Sequence, residues 1–111
     1  MLDKFKIGHY TDDTNKTGAT VILCEKGATA GVSVRGASPA TRETDLLCPT
    51  KTVQEINAVV LSGGSAFGLE ASCGVMDYLY KNKIGYNAGG YKVPIVCGAS
   101  LYDLENGNFA Y

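Results

Sequence analysis

A glycine–serine junction inside residues 59–69 carries the clearest chemical signal of this chain. An apolar run, residues 58–61, ends just before Gly63, Gly64 and Ser65, and a helical pattern begins at once. Backbone N–H groups and a hydroxyl gathered at a helix N-terminus bind anions or oxyanions. The junction therefore predicts one of two things: a small non-catalytic module that holds an anion or acyl group, or part of a hydrolase active site.

Two catalytic turns share features with this junction, and each lacks an essential residue. A phosphate-binding P-loop places Lys and then Ser or Thr after its last glycine, whereas the acidic Glu70 stands in that region. A nucleophile elbow requires Gly-x-Ser-x-Gly followed later by a histidine. Here Phe67 occupies the place of the last glycine, and the single histidine, His9, precedes Ser65. The structural alternative is that Ser65 caps the helix and the glycines allow close packing.

Other polar residues offer weaker candidates. Tyr102 lies beside Asp103 between apolar residues, which suits a packing tyrosine with a solvated hydroxyl or a donor to an oxyanion. Glu43 and Asp45 can serve acid–base chemistry. Their position next to Arg42 equally predicts local salt bridges and turn hydrogen bonds.

The cysteines do not form a metal-binding pattern. Cys24, Cys48, Cys73 and Cys97 include no Cys-x-x-Cys pair, and the chain has one histidine. We therefore expect free, mostly buried thiols, and neither a metal nor a cofactor.

Composition predicts one small globular domain over residues 1–111. Hydrophobic residues make up 45% of the chain and charged residues 19%. A net charge of −1 predicts no attraction to nucleic acid or to an anionic membrane surface. Apolar runs are too short for a signal peptide or a membrane span, so the expected compartment is the cytoplasm.

The residue pattern alternates strands with one helix. Strands are predicted over 5–10, 19–25, 28–35 and 58–61, a helical turn over 53–57, a helix over 66–82, and apolar segments over 93–97 and 100–104. Lys26 and Gly27 predict the turn of an antiparallel hairpin. This order indicates the α+β class.

Six short segments carry a family resemblance when they are taken in order. They are residues 17–21 (TGATV), 31–37 (GVSVRGA), 41–47 (TRETDLL), 58–69 (AVVLSGGSAFGL), 74–76 (GVM) and 93–96 (VPIV). Together they resemble the N-terminal part of the L-aminopeptidase D-amidase/D-esterase family, which includes the β-peptidyl aminopeptidases and the nylon-oligomer hydrolases.

That resemblance implies a self-processing hydrolase of the N-terminal-nucleophile type. Its precursor cuts itself, and a Ser or Thr at the new N-terminus attacks the amide with its own α-amine as base. The implied fold is a four-layer αββα sandwich, assembled as homo-oligomers, with small peptides or amides as substrates. This chain is then expected to be the N-terminal segment of such an enzyme. It is expected to be inactive alone, because the nucleophile belongs to a later segment.

The resemblance also assigns residues. Tyr102, in Ser100-Leu101-Tyr102-Asp103, matches the family's apolar-x-Tyr-Asp segment. Its hydroxyl is implied to bind the substrate carbonyl or oxyanion as an accessory catalytic group. Gly63, Gly64 and Ser65 are implied to line the same pocket. Relatives can carry glycine in place of the serine, which argues against Ser65 as the nucleophile.

Overall fold

A mixed β-sheet with a helix against one face organises the chain. The structure, a computed structural model, describes residues 2–109. The strands are β1 (Lys6–Asp12), β2 (Thr17–Ala28), β3 (Thr41–Arg42), β4 (Ile56–Ser62), β5 (Tyr86–Ala88), β6 (Tyr91–Val93) and β7 (Val96–Ser100). The helix α1 spans Ala71–Lys81, and 3-10 helices span Leu2–Lys4, Thr44–Leu47 and Ser65–Glu70.

The strand order determines which chain ends meet. The five-stranded sheet has the order β1-β2-β4-β7-β3, and β5 pairs with β6 in a separate hairpin. In the five-stranded sheet β4 and β7 run parallel, whereas the other neighbours are antiparallel. Parallel neighbours need a long crossover, and here it contains α1. As a result, Ser62 and Ser100 end their strands side by side.

Helix α1 covers one face of the sheet. Leu79 is fully buried and packs with Ala58 and Val60 of β4. The helix approaches β7 closely because Gly98 has no side chain where the hydroxyl of Ser72 lies. Burying a leucine of this kind contributes about 1.5–3 kcal/mol to folding, so this interface is the main stabilising contact of α1.

The opposite face of the sheet is covered only in part. Ile56, Ile95 and Cys97 form a buried second cluster there. Towards β1 the same face is open, and the side chains of Leu61 and Ile7 are 48% and 62% exposed. This half of the sheet therefore presents apolar side chains to its surroundings.

The predicted strands over 5–10, 19–25 and 58–61 are confirmed as β1, β2 and β4, and the α+β class is confirmed with them. The hairpin expected at Lys26 and Gly27 is wrong. Strand β2 runs through both residues to Ala28, and residues 29–40 are not in a strand. Gly27 does have a left-handed φ of 91°, but it lies in a register irregularity between Leu23 and Ala28. A bulge, not a turn, uses this glycine.

Two further elements differ from expectation. The helical turn expected over 53–57 is wrong, since β4 begins at Ile56. The hairpin of β5 and β6 was not anticipated, although its turn residues are the most favourable ones for a two-residue connection. Gly89 and Gly90 both have positive φ angles, of 56° and 91°, as the type I′ turn requires.

Candidate functional site

The carboxyl end of β4 and the segment that follows β7 line a cavity of about 570 Å³. The β1–β2 hairpin forms part of its wall, and the chain that follows β4 forms another part. Thr17, Gly63 and Asp103 are among its polar lining, and Phe67 and Phe109 pack their rings at 5.0 Å between centroids beside them. Ligands of open sheets with parallel strands bind at the carboxyl ends of those strands. This cavity is therefore the candidate site.

A second cavity, of about 730 Å³, shares part of the same wall. Thr17, Ser62, Gly63 and Asp103 line both cavities. The hydrogen bonds among these residues therefore determine the shape of both.

The Gly63-Gly64-Ser65 turn directs its backbone N–H groups into the protein. Each donates to an acceptor in the chain: Gly63 to the Gly18 carbonyl (2.9 Å), Gly64 to Asp103 Oδ1 (2.7 Å) and Ser65 to the Leu101 carbonyl (2.8 Å). A backbone N–H is a single donor. The turn therefore has no free N–H group for an external anion.

The prediction that Ser65 caps the helix is wrong. Gly64 and Ser65 have left-handed φ angles of 91° and 55°, and the chain continues as the 3-10 helix Ser65–Glu70. Gly64 is the N-cap of that segment, and Glu70 that of α1, in both cases with no capping hydrogen bond from the side chain. The helix expected over 66–82 therefore begins as α-helix only at Ala71. An anion-binding module that depends on a helix N-terminus at Ser65 loses its geometric basis.

Asp103 fastens the turn to the rest of the site. Its Oδ1 accepts the Gly64 N–H at 2.7 Å, and its Oδ2 accepts the Thr17 hydroxyl at 2.8 Å. A Cβ on Gly63 would overlap both Asp103 Oδ2 and Thr17 Oγ1. Glycine is therefore required at position 63 because this hydrogen bond passes directly over its backbone.

Tyr102 belongs to the segment that these bonds hold. On one side of it, the Leu101 N–H donates to the Ser62 carbonyl at 2.8 Å, and the Leu101 carbonyl accepts the N–H of Ser65. On the other side lies Asp103. The structure thus brings the Tyr102 backbone against the predicted Gly63-Gly64-Ser65 turn. The Tyr102 side chain does not line either cavity, and it is 65% exposed.

Two serines at the strand ends, the buried Ser62 and the partly buried Ser100, form a hydroxyl pair. Ser62 Oγ donates to the Gly68 carbonyl at 2.9 Å and lies 2.7 Å from Ser100 Oγ. Ser62 is 7% exposed. This pair ties β4, β7 and the 3-10 helix together. None of these two serines, Thr17 and Asp103 was predicted as a site residue, although all four lie within the segments that carry the family resemblance.

The local salt bridges expected around Arg42 are wrong. Its guanidinium crosses to the helix region and donates to Cys73 Sγ and Met76 Sδ, each at 3.0 Å. Among residues 2–109 neither Glu43 nor Asp45 forms an ion pair with it. Glu43 is exposed, with a left-handed φ of 60°. The turn hydrogen bonds expected in that loop are present: the Cys48 N–H donates to the Asp45 carbonyl at 3.3 Å, and the hydroxyls of Thr41 and Thr44 lie 3.3 Å apart.

The charged side chains that line the 570 Å³ cavity are the carboxylates of Asp12, Glu70 and Asp103. The backbone N–H and then the side-chain amide of Asn15 hydrogen-bond the Asp12 carboxylate and lower its pKa. All four cysteines are free thiols as expected, but the expectation that most of them are buried is wrong. Cys24 and Cys97 are buried, whereas Cys48 and Cys73 are exposed. Within residues 2–109, no cluster of three His, Cys, Asp or Glu side chains suits a metal ion. Over the same residues, no helix has the length and apolarity to cross a bilayer.

Comparison with known proteins identifies relatives across the chain. Residues 3–110 match the profile of peptidase family S58. An uncharacterised aminopeptidase of Mycobacterium leprae is 48% identical over 116 residues, which cover 97% of this chain and 32% of the relative. An uncharacterised aminopeptidase of Mycobacterium tuberculosis is 41% identical over 112 residues, which cover 94% of this chain and 33% of the relative.

A more distant similarity is to an endohydrolase of 6-aminohexanoate oligomers. The 6-aminohexanoate-oligomer endohydrolase of Paenarthrobacter ureafaciens is 32% identical over 97 residues, which cover 87% of this chain and 24% of the relative. The chain thus spans between about a quarter and a third of the length of these curated relatives.

Proposed function

The chain belongs to peptidase family S58, and from that membership we propose that it forms the first part of a self-processing, aminopeptidase-like amide hydrolase. The observation that carries the proposal is the match of residues 3–110 to the family, together with relatives named as aminopeptidases and as a 6-aminohexanoate-oligomer endohydrolase. Small peptides or amides are the proposed substrates. The remainder of the same enzyme, and further copies of it, are the proposed partners.

We propose that the nucleophile comes from sequence beyond the matched third of the family. In the proposed reaction a Ser or Thr hydroxyl adds to the amide carbonyl carbon while its α-amine takes the proton. The carbonyl oxygen becomes an oxyanion, and Tyr102 donates a hydrogen bond to it. The C–N bond then breaks, the amine leaves with the proton, and water hydrolyses the ester that remains.

The exposed half of the sheet supports the αββα architecture that we propose for the complete enzyme. Helix α1 covers one face, whereas Ile7 and Leu61 are exposed on the other. A second sheet packs at about 10 Å on such a face and buries alternate side chains. We propose that the later segment of the enzyme supplies that sheet, with its own helix layer outside it.

The experiment compares the 111-residue chain with a protein completed to the length of its relatives. Both are assayed on aminoacyl and β-aminoacyl p-nitroanilides. We expect hydrolysis, with cleavage of the precursor into two chains, only from the completed protein. Steady hydrolysis by the 111-residue chain alone would contradict the proposal, as would a completed protein that neither cleaves itself nor hydrolyses any of these amides.

A tyrosine variant tests the role of Tyr102 in the completed protein. Loss of one oxyanion donor lowers kcat by about 100-fold or more. Tyr102→Phe is therefore expected to lower kcat by about 100-fold or more, while the precursor still cleaves itself into two chains. Tyr91→Phe is the matched control, because Tyr91 is 74% exposed on the β5–β6 hairpin. Equal kcat values for the two variants would remove Tyr102 from the reaction.

A further inference from the structure

Asp103 is built into the site in a way that a surface carboxylate is not. Its two oxygens accept from two distant parts of the chain, the Gly64 N–H and the Thr17 hydroxyl, at 2.7 and 2.8 Å. Hydrogen bonds to a charged acceptor are about twice as strong as neutral ones. Gly63 leaves the space over which one of these bonds passes. Three separate segments therefore meet at this one carboxylate.

The same carboxylate adjoins the residue assigned to the oxyanion. Leu101 is held by backbone hydrogen bonds to Ser62 and Ser65, and Asp103 is held by its side chain. The Asp103 carbonyl also accepts the Asn106 N–H at 3.1 Å, which closes the following turn. Tyr102 is thus fixed from both sides although its own side chain is exposed.

We propose that Asp103 is a positioning residue, which holds Tyr102 against the Gly63-Gly64 turn so that the tyrosine hydroxyl meets the substrate. The catalytic part of this inference rests on the proposed function, whereas its structural part does not. A misplacement of about 1 Å in a positioned group lowers rate by as much as about 100-fold. Removal of the carboxylate is therefore expected to affect kcat through Tyr102.

The structural experiment uses the 111-residue chain and needs no activity. Amide hydrogen exchange and ¹⁵N relaxation are measured for the parent chain, Asp103→Ala and Asp103→Asn. We expect Asp103→Ala to speed exchange of the Gly64 amide by about tenfold or more and to loosen the backbone of Tyr102. Asp103→Asn keeps an amide oxygen for Gly64 and is expected to retain most of that protection. The Val60 amide, inside β4, is the internal control.

Two more variants keep this experiment decisive if Asp103→Ala does not fold. Thr17→Val removes the second donor without changing volume, and Thr17→Ser restores it. Exchange of the Gly64 amide is expected to rise in Thr17→Val and to return in Thr17→Ser. If Asp103→Ala, or these threonine variants in its place, leave the Gly64 amide and the Tyr102 backbone unchanged, the proposal is overturned.

The catalytic experiment is a double-mutant cycle in the completed protein. Asp103→Ala, or Thr17→Val in its place, is expected to lower kcat by about tenfold with little change in KM when Tyr102 is present, and by less than about twofold in the Tyr102→Phe background. Asp103→Asn is expected to keep most of the parent kcat. An equal loss in both backgrounds would show a general structural role and overturn the positioning role. If the completed parent protein hydrolyses no amide, the proposed function fails, and the exchange experiment alone decides whether Asp103 holds Tyr102.

Discussion

The two ends of the parallel strands β4 and β7 are fastened by different means. At the amino ends, Asn57 and Ile95 exchange hydrogen bonds in a buried setting: the Asn57 N–H donates to the Ile95 carbonyl at 2.8 Å, and Asn57 Oδ1 accepts the Ile95 N–H at 3.0 Å. At the carboxyl ends, the hydrogen bonds join the hydroxyls of Ser62 and Ser100 and connect Thr17 to the Asp103 carboxylate, beside open cavities. We call the amino ends, where the hydrogen bond between Asn57 and Ile95 is buried, the closed end, and the carboxyl ends, which adjoin the two cavities of the candidate site, the open end.

This difference separates stability from function within one pair of strands. Buried apolar contacts near the amino ends and under α1 supply the free energy of folding. The carboxyl ends carry glycines and left-handed residues, which cost conformational freedom and contribute little apolar burial. Substitutions at the closed end should therefore change the free energy of unfolding. Substitutions that remove a polar side chain at the open end should change mainly local order and, in the proposed complete enzyme, rate.

The largest effect is expected where α1 meets the sheet. Leu79 is fully buried, so Leu79→Ala removes apolar contacts and leaves a cavity, at a cost of about 2–5 kcal/mol. Leu61→Ala is the matched control, since Leu61 is 48% exposed on the other face. Urea unfolding of the 111-residue chain, followed by far-UV circular dichroism, measures both. A Leu61→Ala variant as unstable as Leu79→Ala would break the proposed division between the covered and open faces.

A smaller loss is expected at the amino-end hydrogen bonds. Asn57→Leu keeps the number and branching of the side-chain heavy atoms but leaves the Ile95 N–H buried without its acceptor, which costs about 1–3 kcal/mol. Asn82→Leu is the comparison, because the Asn82 amide donates to the Tyr78 carbonyl at the surface, where water can replace it. The same unfolding assay should show less than about 0.5 kcal/mol for Asn82→Leu. Equal losses would mean that burial does not distinguish these two amides.

The closed end was the more predictable of the two. An apolar run flanked by polar residues indicates a buried strand, so β4 was located within two residues. The partner of Asn57 was not predictable, because it lies 38 residues away. The hairpin expected at Gly27 failed for a related reason. A glycine with a left-handed φ can occur in a β-bulge as well as in a turn. Which of the two forms at Gly27 depends on the pairing of β2 with β4, which the local residues do not show.

At the open end, the residue pattern predicted the position of the turn but not the contacts that require its residues. The glycine–serine pattern indicated the correct turn, and the Tyr-Asp segment lies beside it in the structure. The reason for the glycine could not be read from the residues, because Thr17 and Asp103 are 86 residues apart in the chain. Local sequence suggested a helix cap at Ser65. The left-handed backbone of Gly64 and Ser65 and the Ser65 bond to Leu101 prevented it.

Two glycine substitutions sharpen the comparison, with effects of opposite sign. Gly63→Ala forces its Cβ against Thr17 and Asp103, and displacing these side chains is expected to cost about 1–2 kcal/mol. Gly74→Ala adds a methyl group in open space on α1, so it should stabilise the chain by about 0.5–1 kcal/mol. Urea unfolding measures the change in the free energy of unfolding, and its sign, for both variants. Stabilisation by Gly63→Ala would show that position 63 does not need glycine and that the open end carries no steric constraint.

The smallest effects on stability are expected from two thiols, those of Cys97 and Cys48. The pKa values of the buried and the exposed thiol shift in opposite directions, so their ionisation affects stability differently as pH rises. Burial, and then the nearby Glu43 carboxylate, raises the pKa of Cys97, whereas hydrogen bonds from Thr50 lower that of the exposed Cys48. A raised pKa means that the folded chain holds the proton more tightly. Stability from Cys97 is then full below the unfolded thiol pKa of about 8.5 and is lost as pH rises through the folded value.

Two measurements test this difference between the thiols. Iodoacetamide labelling at pH 7.5 should modify Cys48 well before Cys97, since the exposed thiolate is the nucleophile. Cys97→Ser should flatten the fall in unfolding free energy between about pH 8 and pH 10, and Cys48→Ser should not. Faster labelling of Cys97 would mean that the second cluster beneath the sheet opens readily. In that event the amino ends of β4 and β7 are not the closed region that their hydrogen bonds describe.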